Sequence, residues 1–393
     1  MTSSGAIQPT RTLCSACRSV LADTLGDVST VSRNASLSTA KENKEDEFYT
    51  QLSDIEREVK HYWKHFEGKT VYLNCDDPRV SNFFHYFSYN FEKLGLKKLI
   101  ATCYKNQDID LFSENAYEEA VWLEYEGDKN GSGTPDRSEI SVTPLKGDGD
   151  FRSAEAIELL KQADIVITNP PFSLFREFIN QLLAFDKKFL ILGNQNAITY
   201  KEVFPHIMSG KLWLGVNDGD MSFQVPDYYT PRATRFWVDD DGKKWRSFGN
   251  MAWYTNLDHS KRHEELILYR SYDPAIYPSY DNYDGIEVGK VADIPYDYDG
   301  VMGVTPGFLT KYNPDQFEIV GATQSWFDAA IKEYPKQTQV SSNGTRSTVT
   351  KLNDGAAMKL SSPPKGKTYY EVNGEYFVKA YARILIRRRK TEA

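Results

Sequence analysis

Between residues 69 and 194 short apolar runs alternate with longer stretches of helical period, and this alternation constrains the fold more than any other feature of the chain. The apolar runs read KTVYLNCDDP, KKLIATCY, AVWLEYEG, DIVITNPPF and KKFLILGN. They are too continuous for a sheet with one wet face, so they predict strands covered on both sides. The segments SNFFHYFSYNFEKLG, SAEAIELLKQA and LFREFINQLLAF carry apolar residues at helical spacing, the first ended by Gly95. A helix over the DIEREVKHYW region precedes them, with Ser53 or Asp54 as its cap and Ile55, Val59, Tyr62 and Trp63 at helical spacing. Strand–helix alternation of this kind predicts an α/β fold, a mostly parallel sheet with helices on both faces.

The rest of the chain divides around this core. Residues 1–44 are rich in Ser and Thr with few aromatics, and read as a disordered tail. The tail lacks an Arg-rich amphipathic helix, so no transit peptide is expected. Cys14 and Cys17 in it form a lone Cys-x-x-Cys without a second pair, and read as two unpaired thiols. Residues 45–270 are expected to form the catalytic domain, with KLWLGV and ELILYR as its last strands and an inserted hairpin at about 216–248 turning at DDDGKK. Residues 271–393 read as a C-terminal appendage. It holds a Tyr- and Asp-rich extended connection at 271–300, a mobile loop over 336–368, and a closing strand in YFVKAYARILIRRRK with a basic end.

Composition excludes several classes. Lys plus Arg is 47 and Asp plus Glu is 55, so the formal net charge is 47 − 55 = −8, which argues against non-specific coating of nucleic acid. No apolar run approaches the length of a transmembrane helix. Four Cys among 393 residues are no disulfide framework, and a reducing cytoplasmic compartment is expected.

The chemistry is concentrated in Asn169-Pro170-Pro171-Phe172. Proline cannot continue a central strand, so Pro170 and Pro171 end the DIVIT strand and stiffen the turn after it. That turn leaves the carboxyl end of a parallel strand, where open α/β sheets place their ligands. An exocyclic amine is a weak nucleophile because its lone pair is delocalised into the ring. Two acceptors aimed at its N–H groups draw it toward tetrahedral geometry and take up the developing positive charge. The Asn169 side-chain carbonyl and the Pro170 backbone carbonyl offer such a pair, and Phe172 offers a surface for a planar substrate to stack on. The bland alternative is a proline-stiffened turn in which Asn169 or Ser173 caps the following helix.

These residues, with several longer blocks, resemble the EcoRI-type family of adenine-specific DNA methyltransferases. The blocks include NCDDPRVSNFF, GDFRSAEAIELLKQADIVITNPPFSLFREF, GNMAWYTNLD, YPSYDNYDGIEVGK and GVMGVTPGFLTKYNPDQFEIVG, and the resemblance runs from about Asp46 to about Arg389. It implies a Rossmann-like S-adenosylmethionine-dependent methyltransferase fold and transfer of a methyl group to the N6 of a flipped-out adenine. It also implies double-stranded DNA as partner and a cognate restriction endonuclease beside it. Asn169, Pro170 and Phe172 would hold the adenine, and Pro171 would shape the loop. Phe48, Tyr49 and Thr50 would lie beside S-adenosylmethionine. Asp76 and Asp77 would serve its ammonium or ribose hydroxyls. Asp150 would accept from its adenine amino group, and Phe151 would pack on that ring. The usual glycines are absent from NCDDP.

Each assignment has a structural alternative. Asp76 and Asp77 before Pro78 can cap the next helix, Asp150 in KGDGD can sit in a simple turn, and Tyr49 can be a core aromatic. Arg232, Arg235, Lys243, Lys244 and Arg246 are candidates for DNA contacts, with a solvated turn as the other reading of the lysines. The other functions open to the chain are methyl transfer to RNA adenine or to a protein glutamine, and non-catalytic DNA binding. No metal site is evident, and the lack of G-x-G-x-x-G after the first strand disfavours a dinucleotide-binding dehydrogenase.

Overall fold

The computed structural model describes residues 48–75, 81–102 and 120–390. The expectations for the tail over 1–44, for Cys14 and Cys17, and for Asp76 and Asp77 lie outside the described residues. No helix among the described residues is long and apolar enough to cross a membrane.

In chain order the main sheet uses β1 (Tyr49–Thr50), β2 (Thr70–Leu73), β3 (Lys98–Thr102), β4 (Val121–Tyr125), β5 (Ile140–Pro144), β6 (Ile165–Thr168), β7 (Lys188–Asn194), β8 (Trp213–Val225), β9 (Phe236–Val238) and β10 (Lys244–Thr255). Its order is β1-β8-β10-β7-β6-β2-β3-β4-β5, with β9 pairing on β10. The expectation of a mostly parallel sheet is corrected. Only β2–β3, β2–β6 and β6–β7 pair in parallel, while six further pairings are antiparallel. The sequence blocks located the central strands correctly. The direction of the outer ones is set by hairpins that leave no mark on burial.

The helices are α1 (Leu52–Val59), α2 (Asn82–Tyr89), α3 (Ala154–Gln162), α4 (Phe175–Ala184) and α5 (Phe204–Met208). Alternate residues of the central strands enter two different cores, because successive side chains of a strand point to opposite faces. Val71, Leu73, Ile165, Ile167, Leu190 and Leu192 pack with Ile55 and Val59 of α1 and Phe83 and Phe87 of α2. Tyr72, Val166, Phe189 and Ile191 pack with Leu159 of α3 and Phe178 and Leu182 of α4. Both faces are therefore covered, and β2 and β6 are buried at every position. Gly95, with φ of +62°, ends the single turn Phe91–Leu94 in the left-handed conformation that favours glycine. Neither Ser53 nor Asp54 caps α1. Its N-cap is Gln51, and Asp54 bonds to Arg57 at 2.6 Å instead.

Beyond residue 255 two smaller sheets follow. One has the order β11 (Ile286–Val288), β12 (Met302–Val304), β19 (Ile384–Arg388), β13 (Phe317–Ala322). Its Ile286, Met302, Val304, Ile384 and Ile386 share the α3/α4 core. The other is wholly antiparallel. It orders β15 (Arg346–Val349), β14 (Gln337–Val340), β17 (Tyr369–Val372), β18 (Glu375–Lys379) and β16 (Ala357–Leu360) around Tyr334, Leu352, Ala357, Tyr370, Val372 and Phe377. Three expectations fail here. Residues 336–368 hold three of these strands rather than a mobile loop. ELILYR contributes only a bridge from Arg270 to Pro295, and the sheet's last strand is β10. The closing segment splits into β18 and β19, which belong to different sheets.

Candidate active site

Strand β2 lies between β3 and β6, and the chain runs outward from it in both directions. Such a reversal opens a crevice at the carboxyl ends of the two central strands. Asn74 follows β2 and Asn169 follows β6, so both amides stand at that crevice. Thr168 Oγ1 donates to the Asn74 carbonyl and ties the two strand ends together. Cys75, the next residue, has φ of +79°, a left-handed conformation that a glycine adopts more cheaply. The turn after β2 thus keeps the backbone shape that glycine serves, although the sequence has none there.

Asn169 is buried and its orientation is fixed. Nδ2 donates to the Phe48 carbonyl at 2.6 Å, which leaves Oδ1 as the free end of the amide. That oxygen is buried and has no hydrogen-bond partner among the described residues. An unmet buried acceptor costs roughly 1–3 kcal/mol, so it marks a place prepared for a donor. Two more lie close by in the fold, Asn74 Oδ1 after β2 and Thr50 Oγ1 in β1. Asn169 does not cap α4, whose N-cap position is Leu174. The Pro171 carbonyl accepts from the Leu174 amide at 3.0 Å, closing the turn that carries Phe172.

An aromatic enclosure surrounds this loop. Phe172 stacks on Phe48 with centroids 5.1 Å apart and planes at 15°. Phe248 meets both edge-on, at 5.0 Å from Phe48 and 5.9 Å from Phe172. Phe223 stands 5.9 Å from Phe48 and 6.4 Å from Phe172, and Tyr229 stands 6.1 Å from Phe48. Phe223 comes from β8 and Phe248 from β10. Sequence reasoning missed these residues and Asn74. The register of β10 on β8 shifts between Phe248 and Met251, and a bulge of that kind re-aims neighbouring side chains. Gly249 sits in the bulge, where a Cβ would meet the Arg235 guanidinium at 2.9 Å.

The other expected residues are placed as follows. Segment 48–50 reaches the loop. β1 pairs with β8, Thr50 opposite Phe223, and Asn82 Nδ2 donates to the Thr50 carbonyl at 2.8 Å. Tyr49 is half-buried between them. The Asp150 carboxylate is taken by Arg152, whose Nε and Nη2 donate at 2.8 and 2.6 Å, and the pair holds the guanidinium more firmly protonated than usual. Phe151 is buried, edge-on to Phe178 at 5.0 Å.

The basic candidates flank the aromatic enclosure on the outward continuation of β8 and β10. Arg232 lies over Tyr229 at 5.8 Å and Arg246 over Phe248 at 5.1 Å. Arg246 also donates to the Thr234 and Arg235 carbonyls, and Lys244 to the Asp227 carbonyl, so both hold the hairpin. Arg235 pairs with Asp220 at 2.9 Å. Lys243 stands on the turn, where its amide donates to Asp239 Oδ1 at 2.9 Å, and DDDGKK forms the expected hairpin turn.

Comparison with known proteins bears on this geometry. The family model described as adenine-specific methyltransferase EcoRI matches residues 36–389. A Type II methyltransferase from Escherichia coli, M.EcoRI, is 52% identical over 297 residues, which cover 74% of this chain and 90% of the relative. M.MgeORF184P from Mycoplasma genitalium is 41% identical, covering 72% of this chain and 84% of that protein. M.MpnI from Mycoplasma pneumoniae is 40% identical, covering 72% and 83%. No solved structure matches.

Proposed function

The chain belongs to the EcoRI family of adenine-specific methyltransferases, and on that premise we propose that it methylates the N6 of adenine in double-stranded DNA, as the modification component of a restriction–modification pair. The observation that carries the reading is Asn169. Its amide nitrogen is anchored on the Phe48 carbonyl, and its amide oxygen is buried without a partner among the described residues.

The target adenine is inaccessible inside the duplex and must leave the stack, at a cost of a few kcal/mol. Phe172 offers the base a ring face, and Phe48, Phe223, Phe248 and Tyr229 wall the pocket against water. Asn169 Oδ1 accepts one N6–H and the Pro170 carbonyl the other, while Pro171 holds the loop rigid. When N6 takes up the methyl group, these two acceptors would stabilise the positive charge growing on nitrogen. The extra proton then leaves N6 for water, so no strong base is required. Alignment of the reacting atoms supplies much of the rate.

S-adenosylmethionine, when bound, supplies the methyl group on a cationic sulfur. The residues at the crevice fit such a group. Asn74 Oδ1 and Thr50 Oγ1 are buried acceptors awaiting N–H or O–H donors, which an ammonium and ribose hydroxyls provide. Phe48 and Tyr49 lie beside them, and Asp76 and Asp77 follow directly in sequence. The reversal at β2, with β10 inserted antiparallel between β7 and β8, supports the Rossmann-like methyltransferase reading. Asp150 serves this cofactor only if it exchanges Arg152 for the ligand. We assign catalysis to residues 45–270 and DNA recognition to 271–393 together with the β8–β10 hairpin, and we place the protein in the cytoplasm.

Mass spectrometry of nucleosides from plasmid DNA incubated with the protein and S-adenosylmethionine tests this. N6-methyladenine is expected with the wild type and not with Asn169→Ala. Cofactor binding without any methylated nucleoside would redirect the reading to RNA adenine or a protein glutamine. Loss of both product and cofactor binding would leave a DNA-binding relative.

A further inference from the structure

The carboxyl end of β7 carries a second oriented amide, that of Asn194, beside Asn169. Strands β6 and β7 pair in parallel with Thr168 opposite Ile191, so the chain leaves both strands at the same end of the sheet. Leu190 and Leu192 of β7 share one core with Ile165 and Ile167 of β6. Alternation along a strand puts Asn169 and Asn194 next on that face. It is the face of Phe48 and Phe223, against which Phe172 and Phe248 also pack. A strand spacing of about 4.8 Å and a rise of about 3.3 Å per residue put the Cα atoms of Asn169 and Asn194 roughly 8 Å apart. Two asparagine side chains at that separation can meet at the edge of one base.

The Asn194 amide is held in one orientation. Its Oδ1 accepts from the Asn196 main-chain amide at 2.9 Å and from Asn250 Nδ2 at 2.9 Å. A backbone N–H can only donate, so the atom facing it is the oxygen, and Nδ2 is turned the other way. Among the described residues Nδ2 donates to no acceptor, and Asn194 is half-buried, so a ligand at the crevice can reach it. The main chain is pinned as well. The Asn194 carbonyl accepts from the buried Tyr254 hydroxyl at 2.8 Å, and the residue pairs with Met251 of β10. Asn250 comes from the β10 bulge that follows Phe248. A Cβ on Gly193 would collide with the Phe175 ring, so α4, which follows the Asn169 loop, packs directly on the end of β7. The crevice thus presents an acceptor, Asn169 Oδ1, and a donor, Asn194 Nδ2, each fixed by what the other end of its amide bonds to.

We propose that Asn194 is a specificity-determining residue whose Nδ2 donates to the ring nitrogen beside the amino group of the target adenine. This rests on the methyltransferase reading and adds the part of the base edge that Asn169 and Pro170 leave unread. The adenine amino group is flanked by N1 and N7, and both are acceptors. Two acceptors aimed at N6 test only that an amine is present. A donor beside them also requires an unprotonated ring nitrogen next to that amine. Guanine fails at the first step, because its O6 turns lone pairs toward the two acceptors. The same hydrogen bond stops the base from turning in its own plane, and so sets where N6 stands relative to the methyl donor. Asn250 acts through Asn194 as a positioning residue, since it holds Oδ1 and leaves Nδ2 facing the base.

The test pairs variants of the full chain with altered bases. The target position is first mapped from the N6-methyladenine that the wild type leaves in plasmid DNA. Duplexes with adenine, 7-deazaadenine or 1-deazaadenine at that position are then compared in methylation kinetics. Asn194→Asp keeps an oxygen for Asn196 and Asn250 and removes the donor, so circular dichroism and melting should match the wild type. On adenine it should lower kcat/KM roughly tenfold or more, with affinity for S-adenosylmethionine unchanged. The wild type should lose a similar factor on one of the two deaza bases, and on that base Asn194→Asp should cost nothing further. Asn250→Ala should lose less than Asn194→Asp on adenine. Turnover of Asn194→Asp at the wild-type rate overturns the inference. A loss of the same size on all three bases overturns it too, and leaves Asn194 as the cap of the turn Gln195–Thr199 alone. A wild type that leaves no N6-methyladenine defeats the methyltransferase reading itself, a result seen before any variant is made.

Discussion

The two edges of the main sheet differ in what they offer. On one side β8 and β10 run outward as strands of 13 and 12 residues, carrying Phe223 and Phe248 toward Phe48 and Phe172, with Tyr229 in the connection between them and Arg232 and Arg246 over the rings of Tyr229 and Phe248. On the other side β4 and β5 are five residues each, and the turn between them carries Asp128, Asp136 and Glu139 together with Lys129 and Arg137. One edge presents a cluster of rings with charges of both signs around it, the other a short polar turn. The bases of the hairpin stand among Asp218, Asp220, Asp227, Asp239, Asp240 and Asp241, so any local attraction for a polyanion rests on where individual cations sit and not on a net positive edge.

That contrast can be broken from the centre outward. Asn169→Ala should give the largest effect, a fall in single-turnover methylation of roughly 10²–10³-fold, since it removes a preorganised acceptor at the reacting nitrogen. Near-wild-type turnover with unchanged circular dichroism would defeat the assignment of Asn169. Phe248→Ala comes next. A lost aromatic contact on a base is worth about 1–3 kcal/mol, so kcat/KM should drop roughly tenfold, with Phe248→Leu recovering part of it. If Phe248→Ala leaves kcat/KM alone, β10 does not wall the pocket.

The cations follow. Arg232→Gln and Lys243→Gln should each reduce the slope of log affinity for duplex DNA against log salt by about 0.9, if each neutralises one phosphate. Equal slopes in wild type and variants would assign these residues to the solvated surface. The smallest effect concerns His259, which supports β8 by its Nε2 contact to the Leu214 carbonyl at 2.9 Å. Burial holds its imidazole below the ordinary histidine value. Below about pH 6.5 the unfolded chain takes up a proton that the folded chain resists, so stability falls as the solution is acidified through that value. His259→Gln should flatten this loss in thermal melts recorded from about pH 7.5 to 5.5. An unchanged slope would remove His259 from the acid response of this edge.

The sequence was most readable where burial is two-sided. The runs at Thr70–Leu73, Lys98–Thr102, Ile165–Thr168 and Lys188–Asn194 sit in the middle of the sheet, and continuous apolarity has one main structural meaning there. Asn169 was legible because two prolines after such a strand leave few conformations. Phe223 and Phe248 were not, since an aromatic at alternate positions of a strand looks the same whether it faces a core or a pocket. Only the pairing of β8 with β10, and of β1 with β8, brings them to residues far away in sequence. The sheet over 337–379 was hidden by its composition. Its core needs only six buried side chains, so Ser, Thr, Gly and Lys can fill the remaining positions.

The contact between Asn169 and the Phe48 carbonyl joins positions 121 residues apart. Phe48 contributes a main-chain atom, so no substitution of its side chain deletes that oxygen. A shortened chain that starts after residue 48 does delete it, and with it the anchor that aims the Asn169 amide. For anyone trimming this protein for expression, the permissible starting point is thus bounded by the orientation of a single side chain in the middle of the sequence as well as by the packing of the Phe48 ring.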